Sequence, residues 1–160
     1  MGQESDRTAI LLIAHGSRYP AANDELRDLA MRIEAQGEYP IVQASFLELA
    51  EPDIIAGAID CVSKGATRVL MIPYFLSAGV HLLRDLTAAR DALARLNPDV
   101  EIRLGPPLGP HPLLDALVAQ RITQVAAEKP AAVPGSFSLS ESEFAPLGDP
   151  EHALDQGNRS

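Results

Sequence analysis

Two patterns of apolar residues alternate along the first 127 residues. Short apolar runs, typical of β-strands, are separated by longer stretches in which apolar residues recur every three or four positions, as in amphipathic helices. Strands are predicted at Ala9–Ala14, Ile41–Leu47, Arg68–Pro73 and Val100–Leu104. Helices are predicted at about Ala21–Gln36, Pro52–Lys64, Val80–Leu96 and from Pro112 onward.

Regular alternation of strand and helix predicts a mainly parallel sheet covered by helices on both faces. Ala9–Ala14 and Val69–Ile72 are continuous apolar runs, which favours interior strands buried on both faces. Polar residues interrupt the second and fourth strands, which favours edges. The expected fold is a flavodoxin-like three-layer α/β/α sandwich. Its four-stranded sheet has the order 2-1-3-4, with the topological switch point between strands one and three.

The periodic pattern ends at Ala127, so residues 1–127 are predicted to form the α/β domain. Residues 128–160 contain four prolines, five serines and six acidic residues against Lys129 and Arg159. This composition is typical of a disordered segment, and we expect an acidic C-terminal tail.

Composition excludes several classes of protein. The formal net charge of −9 argues against binding to nucleic acid or to an anionic membrane surface. The six-residue run Ala9–Ala14 is too short to span a membrane and lacks the cleavage pattern of a signal peptide. The single Cys61 cannot form an internal disulfide and is expected to pack in the core. A cytoplasmic protein fits these features.

Chemistry-bearing residues follow three of the predicted strands. His15 comes directly after the first strand, Glu48 after the second, and His81 in the segment after the third. Because the carboxyl ends of parallel strands meet at one edge of the sheet, the three residues are expected on the same side of the molecule. Imidazole and carboxylate groups there indicate a metal site or a proton-transfer site. The mostly apolar segment Pro73–His81 is predicted to form the wall of a pocket for a large, flat ligand.

Structural roles compete with these functional ones. His15 is also compatible with a strand-end turn, and Glu51 is interpreted as an acid that stabilises the start of the second helix. His111, between two prolines, is expected to have a turn role, and His152 belongs to the tail.

The sequence also argues against two classes of phosphate-binding protein. A histidine phosphatase would need an arginine directly before His15 to bind phosphate, and residue 14 is an alanine. No glycine-rich phosphate loop follows the first strand either.

Four blocks, in order along the chain, resemble the CbiX/SirB family of class II tetrapyrrole chelatases. They are Leu-Leu-Ile-Ala-His15-Gly-Ser-Arg with Asn23 downstream, Phe-Leu-Glu48-Leu-Ala-Glu-Pro, Pro-Tyr-Phe-Leu-Ser-Ala-Gly-Val-His81-Leu, and Leu-Gly-Pro-His111-Pro-Leu. The resemblance covers roughly Thr8 to Ala127. It implies insertion of a divalent metal, Co²⁺ foremost and Fe²⁺ or Ni²⁺ as further options, into sirohydrochlorin for cobalamin or sirohaem biosynthesis. It implies neither ATP nor an organic cofactor, and a homodimer of the short, single-domain form.

The resemblance also implies the site. His15 and His81 would bind the metal with Glu48 beside them, and one of the three would accept the pyrrole protons. Arginines near these histidines are expected to pair with the eight carboxylates of sirohydrochlorin, and loop residues around them to complete the substrate site. The residues assigned to substrate binding are Ser17, Arg18, Ser77, Gly79 and Arg84.

Two other functions stay open. The first is a non-catalytic carrier of metal or tetrapyrrole with the same fold and ligands. The second is a small flavodoxin-like interaction domain in which the histidines are structural. Neither the physiological metal nor the pathway follows from the sequence, because affinity for first-row divalent ions rises along the same series at most sites.

Overall fold

The structure is a computed structural model, and it describes residues 7–128. Strands and helices alternate throughout this range, as predicted. The elements are β1 (Thr8–Ala14), α1 (Pro20–Ala35), β2 (Ile41–Phe46), α2 (Ile54–Ser63), β3 (Arg68–Pro73), α3 (Val80–Leu96), β4 (Glu101–Leu104) and α4 (Pro112–Ala127).

All four strands form one parallel sheet with the order β2-β1-β3-β4. The predicted order and the interior position of β1 are therefore confirmed. Residues 9–13 of β1 are all buried, and the exposed and half-buried residues of β4 alternate, as expected for an edge. In β3 the buried residues alternate with half-buried ones, so the expectation of burial on both faces is wrong for this strand.

Each face of the sheet has its own apolar cluster, because successive residues of a strand point to opposite faces. On one face, Leu11 and Met71 pack with buried residues of α2 and α3. On the other face, Leu12 and Phe46 pack with buried residues of α1, and Ile72 is only half-buried. The residues of α4 are all unburied. Leu70 and Ile72 of β3 pack against this second cluster and are only half-buried, which accounts for the alternating burial pattern of that strand.

The start of α2 differs from the prediction by two residues. The helix begins at Ile54, because the carboxylate of Asp53 caps it by accepting a hydrogen bond from the N–H of Ala56 at 2.7 Å. Glu51, interpreted as a helix-start acid, accepts a hydrogen bond from the N–H of Asp53 at 3.2 Å. Its predicted structural role is therefore confirmed.

Cys61 is fully buried against the sheet, which confirms its predicted packing role. Burial raises the pKa of its thiol to about 11, so the reactive thiolate is scarce at neutral pH. Across residues 7–128, no helix is both long enough and apolar enough to cross a membrane.

The compact unit that contains the sheet ends at Arg121, within α4. A second unit begins at Ile122, and the structure describes only residues 122–128 of it. The predicted tail, from residue 129 onward, lies outside the described residues. The domain boundary at Ala127 stays a prediction.

Candidate functional site

His15 and Glu48 are brought together by main-chain hydrogen bonds that continue the β1–β2 ladder past the ends of the strands. The N–H of Leu47 donates to the carbonyl of Ala14 at 3.0 Å, and the N–H of Glu48 donates to the carbonyl of His15 at 3.1 Å. The side chains meet with His15 Nε2 and Glu48 Oε1 separated by 3.3 Å. The predicted proximity of these two residues is therefore observed.

Both side chains of this pair are open to solvent, with exposed fractions of 67% for His15 and 57% for Glu48. Glu48 is exposed although it stands between two leucines in the sequence. Leu49, the next residue, is itself 52% exposed and has a positive φ of 63°. The pair is therefore accessible to a ligand from solvent.

Gly16 permits the close approach of the two loops. Its φ is +94°, and a Cβ at this position would lie 1.8 Å from the carbonyl oxygen of Glu48. No other residue fits there without displacing one of the loops, since 1.8 Å is far inside van der Waals contact. The glycine after the histidine thus sets the distance between the backbone at His15 and the backbone at Glu48.

The loop that follows His15 is fixed by a buried asparagine. Asn23 accepts a hydrogen bond from the N–H of Ser17 at 2.9 Å through Oδ1 and donates to the carbonyl of Ser17 at 2.8 Å through Nδ2. The hydroxyl of Ser17 accepts from the N–H of Tyr19 at 3.1 Å. Asn23 entered the sequence analysis only through the resemblance, and the structure gives it a physical role as a buried support for this loop.

A cavity of about 560 Å³ lies beside the His15–Glu48 pair. Its size is within the range of small-molecule sites. Phe75, from the segment after β3, contributes to the wall, as expected for that apolar segment. Asp85 of α3 was missed by sequence reasoning, although its spacing of four residues after His81 places it on the same side of the helix. The lining residues are His15, Leu47, Glu48, Phe75, Leu82 and Asp85.

The structure does not bring His81 into a ligand cluster with His15 and Glu48. His81 is exposed, is the second residue of α3, and is not among the residues that line the cavity. Within the described range, no three His, Cys, Asp or Glu side chains form a group able to bind a metal ion. Of the three predicted metal ligands, His15 and Glu48 are therefore adjacent, and the role of His81 as a ligand stays a prediction.

The predicted substrate-binding residues are not among those that line the cavity. Arg18, Ser77, Gly79 and Arg84 are exposed, and Ser17 is half-buried in the turn after β1. Their assignment to substrate stays a prediction.

His111 has the turn role that was expected of it. Its Nδ1 accepts a hydrogen bond from the N–H of Leu113 at 3.1 Å, at the start of α4. His152 lies outside the described residues.

An imidazole and a carboxylate 3.3 Å apart have two chemical options. They can share a proton, or both can turn to a divalent cation of the first transition row, for which nitrogen and oxygen ligands are suited. The fold and this site define a class: an α/β protein of flavodoxin-like topology with a His–Glu pair at the carboxyl ends of its strands, next to a small-molecule cavity.

Comparison with known proteins specifies the family. The family model CbiX matches residues 9–125. The chain therefore belongs to the CbiX family.

Individual relatives agree with this assignment. The chain is 35% identical over 117 residues to the chloroplastic sirohydrochlorin ferrochelatase of Arabidopsis thaliana, covering 73% of this chain and 52% of the plant protein. It is 29% identical over 133 residues to the sirohydrochlorin cobaltochelatase of Methanococcoides burtonii, covering 76% of this chain and 98% of the archaeal protein. The chain thus spans about half the length of some curated relatives and nearly all of another.

A solved structure has the same fold. The crystal structure of the sirohydrochlorin chelatase SirB from Bacillus subtilis subspecies spizizenii, in complex with cobalt, superposes with a TM-score of 0.68 at 32% identity. The match covers 75% of this chain and 51% of that one.

Replacing Gly16 should disrupt the site and the fold together. We expect Gly16→Ala to lower the free energy of unfolding by about 2 kcal/mol more than Gly37→Ala, measured by urea denaturation, since a steric clash adds to the backbone strain. Gly37 is the matched control: its φ is +81°, and a Cβ there meets nothing within 4 Å. Equal losses in the two variants would contradict the proposed contact.

Proposed function

We propose that this protein inserts a divalent metal, Co²⁺ foremost and Fe²⁺ or Ni²⁺ as further options, into sirohydrochlorin. The product would serve cobalamin or sirohaem biosynthesis. The observation that carries the proposal is the His15–Glu48 pair, 3.3 Å apart beside a cavity in a chain of the CbiX family. Relatives named as cobaltochelatase and as ferrochelatase support the substrate and leave the metal open.

In this mechanism the metal and the macrocycle are both substrates. His15 Nε2 and Glu48 Oε1 are the first ligands, and His81 is the third. Asp85, one helical turn after His81, lines the cavity, which supports including His81 in the ligand set. Such a partial set of protein ligands leaves coordination positions open for the pyrrole nitrogens. This chemistry needs no ATP and no organic cofactor.

Insertion also removes two protons from pyrrole N–H groups. Each N–H bond would break and leave its electron pair on the nitrogen to bind the metal, while the proton passes to a nearby base. His15, His81 and Glu48 would become available as acceptors as each releases the metal to the macrocycle, and each can pass the proton on to solvent because all three are exposed. The apolar side chains of Leu47, Phe75 and Leu82 would contact the macrocycle and hold it beside the pair.

Sirohydrochlorin carries eight carboxylates, so positive side chains are needed near the site of an otherwise acidic protein. Arg18 follows His15 by three residues, and Arg84 precedes the cavity residue Asp85; both are exposed. We propose that these two arginines pair with substrate carboxylates. Ser17, Ser77 and Gly79 are proposed to complete the substrate site from the adjacent loops.

Catalysis should depend on the three proposed ligands. We expect His15→Ala, Glu48→Gln and His81→Ala each to lower kcat/KM for metallation by about 100-fold or more, since each removes a ligand or a base. The measurement is the absorption change of sirohydrochlorin with Co²⁺ under anaerobic conditions, with multiple turnovers. His111→Asn, which removes an imidazole outside the cavity, should keep the wild-type rate.

The same assay separates the alternatives. Stoichiometric uptake of metal or tetrapyrrole without turnover would contradict the enzyme and indicate the carrier. A folded His81→Ala protein that metallates at the wild-type rate would remove His81 from the ligand set.

Arg18 should contribute to substrate affinity rather than to chemistry. We expect Arg18→Ala to raise KM for sirohydrochlorin about fivefold with kcat unchanged, because an exposed ion pair is worth up to about 1 kcal/mol. Arg95→Ala, an exposed arginine at the end of α3, is the matched control. An unchanged KM in Arg18→Ala would remove this residue from the substrate site.

We further propose a cytoplasmic homodimer. The free Cys61 supports a reducing compartment. Uncovered apolar side chains on α4 support self-association, since contiguous exposed apolar surface marks interaction sites. The resemblance to the short, single-domain form of the family, which implies a homodimer, supports two copies acting together. The exposed apolar residues of α4 are Leu113, Leu117, Val118, Ile122 and Val125.

A charge within the α4 surface should separate the two copies. We expect wild-type protein to sediment as a dimer at micromolar concentration and Leu117→Lys to sediment as a monomer, because an unpaired charge would be buried at the interface. Leu96→Lys, at an exposed leucine of α3, should leave the dimer intact. A wild-type monomer, or a Leu117→Lys dimer, would contradict this arrangement.

A further inference from the structure

Arg27 of α1 contacts the chain segment that carries Glu48. We call residues 47–52 the Glu48 segment. One guanidinium nitrogen of Arg27, Nη2, donates a hydrogen bond to the main-chain carbonyl of Glu51 at 2.8 Å. The guanidinium carbon lies 5.1 Å from the centroid of the Phe46 ring, at the end of β2. A second nitrogen, Nη1, pairs with Asp24 on the same helix at 2.9 Å. The guanidinium thus joins α1 to the end of β2 and to Glu51 within the Glu48 segment.

The Glu48 segment has other supports at its two ends. Its N-terminal end is held by the hydrogen bonds from Leu47 and Glu48 to the end of β1, and Phe46 donates to the carbonyl of Pro52 at 3.0 Å. Leu47 and Ala50 pack, half-buried, against the two apolar clusters, whereas Leu49 is 52% exposed and has a positive φ. Apolar burial is the main force that fixes a loop, so a partly exposed loop of this kind depends on its polar contacts.

We infer that Arg27 is a positioning residue for Glu48, which keeps the Glu48 carboxylate beside His15 Nε2 before any metal arrives. The inference rests on the proposed function, in which Glu48 is a metal ligand. Groups that orient a ligand residue contribute to metal affinity because they reduce the cost of ordering it on binding. Arg27 itself touches neither metal nor substrate in this role.

The geometry requires a guanidinium rather than any positive charge. Arg27 uses two nitrogens for two partners on different parts of the chain and places its plane near an aromatic ring. A lysine side chain donates hydrogen bonds from one nitrogen atom only, and its ammonium group packs less well against an aromatic ring than a planar guanidinium does. Lysine at this position should therefore restore the function only in part.

The test is a double-mutant cycle on Co²⁺ affinity, measured by direct titration without tetrapyrrole. We expect Arg27→Met to weaken Co²⁺ binding about tenfold, and Arg27→Lys to give an intermediate value. In the Glu48→Gln background, Arg27→Met should cause no further loss, because coupled residues are not additive. Arg32→Met, which removes an exposed arginine from the last turn of α1, should leave Co²⁺ affinity unchanged.

Each alternative outcome has a distinct meaning. Additive losses, or an Arg27→Met protein with wild-type affinity, would overturn the positioning role while leaving the metal site intact. A Glu48→Gln protein with wild-type affinity would overturn the metal site and this role with it. Coupled losses in a protein that never metallates sirohydrochlorin would support Arg27 and overturn the chelatase. Urea denaturation shows whether each variant folds. If Arg27→Met does not fold, Arg27→Lys replaces it in the double-mutant cycle.

Discussion

The site depends on the extension of the β1–β2 hydrogen-bond ladder beyond the last residues of the strands. Two main-chain hydrogen bonds, from Leu47 to Ala14 and from Glu48 to His15, fix the loop after β2 against the loop after β1. Gly16 makes this extension possible, since any side chain there would meet the carbonyl of Glu48. This short stretch of backbone pairing brings the His15 and Glu48 side chains together beside the cavity.

The two faces of the sheet are unequally covered, and this inequality affects the rest of the molecule. One face carries α2 and α3 over a fully buried cluster, in which Cys61 packs. The other carries α1 over β1 and β2, and leaves Leu70 and Ile72 half-buried. The apolar residues of α4 are likewise unburied in the single chain. Apolar surface of this kind is costly in water, which is the physical argument for a partner.

Sequence reasoning predicted the sheet well because strand order depends on a coarse property, the continuity of apolar residues. The run Ala9–Ala14 marks an interior strand, and the edges carry polar interruptions. His15 and Glu48 were predicted because strand ends are where parallel sheets place their ligands. Asp85 and Arg27 were missed, since their importance arises from contacts across elements that no local pattern records. The start of α2 was displaced because the capping preference of Asp53 outweighed the apolar pattern.

Because main-chain atoms hold the two loops together, the identities of the side chains at positions 15 and 48 are largely independent of the fold. Both side chains are solvent-exposed and neither contributes to an apolar cluster. The backbone geometry should therefore be retained when other side chains replace the histidine and the glutamate. Under the proposed function, in which both residues bind the metal, softer or harder donor atoms at these two positions would change metal preference at little cost in stability. In evolutionary terms, a single such backbone can serve chelatases that differ in the metal they use.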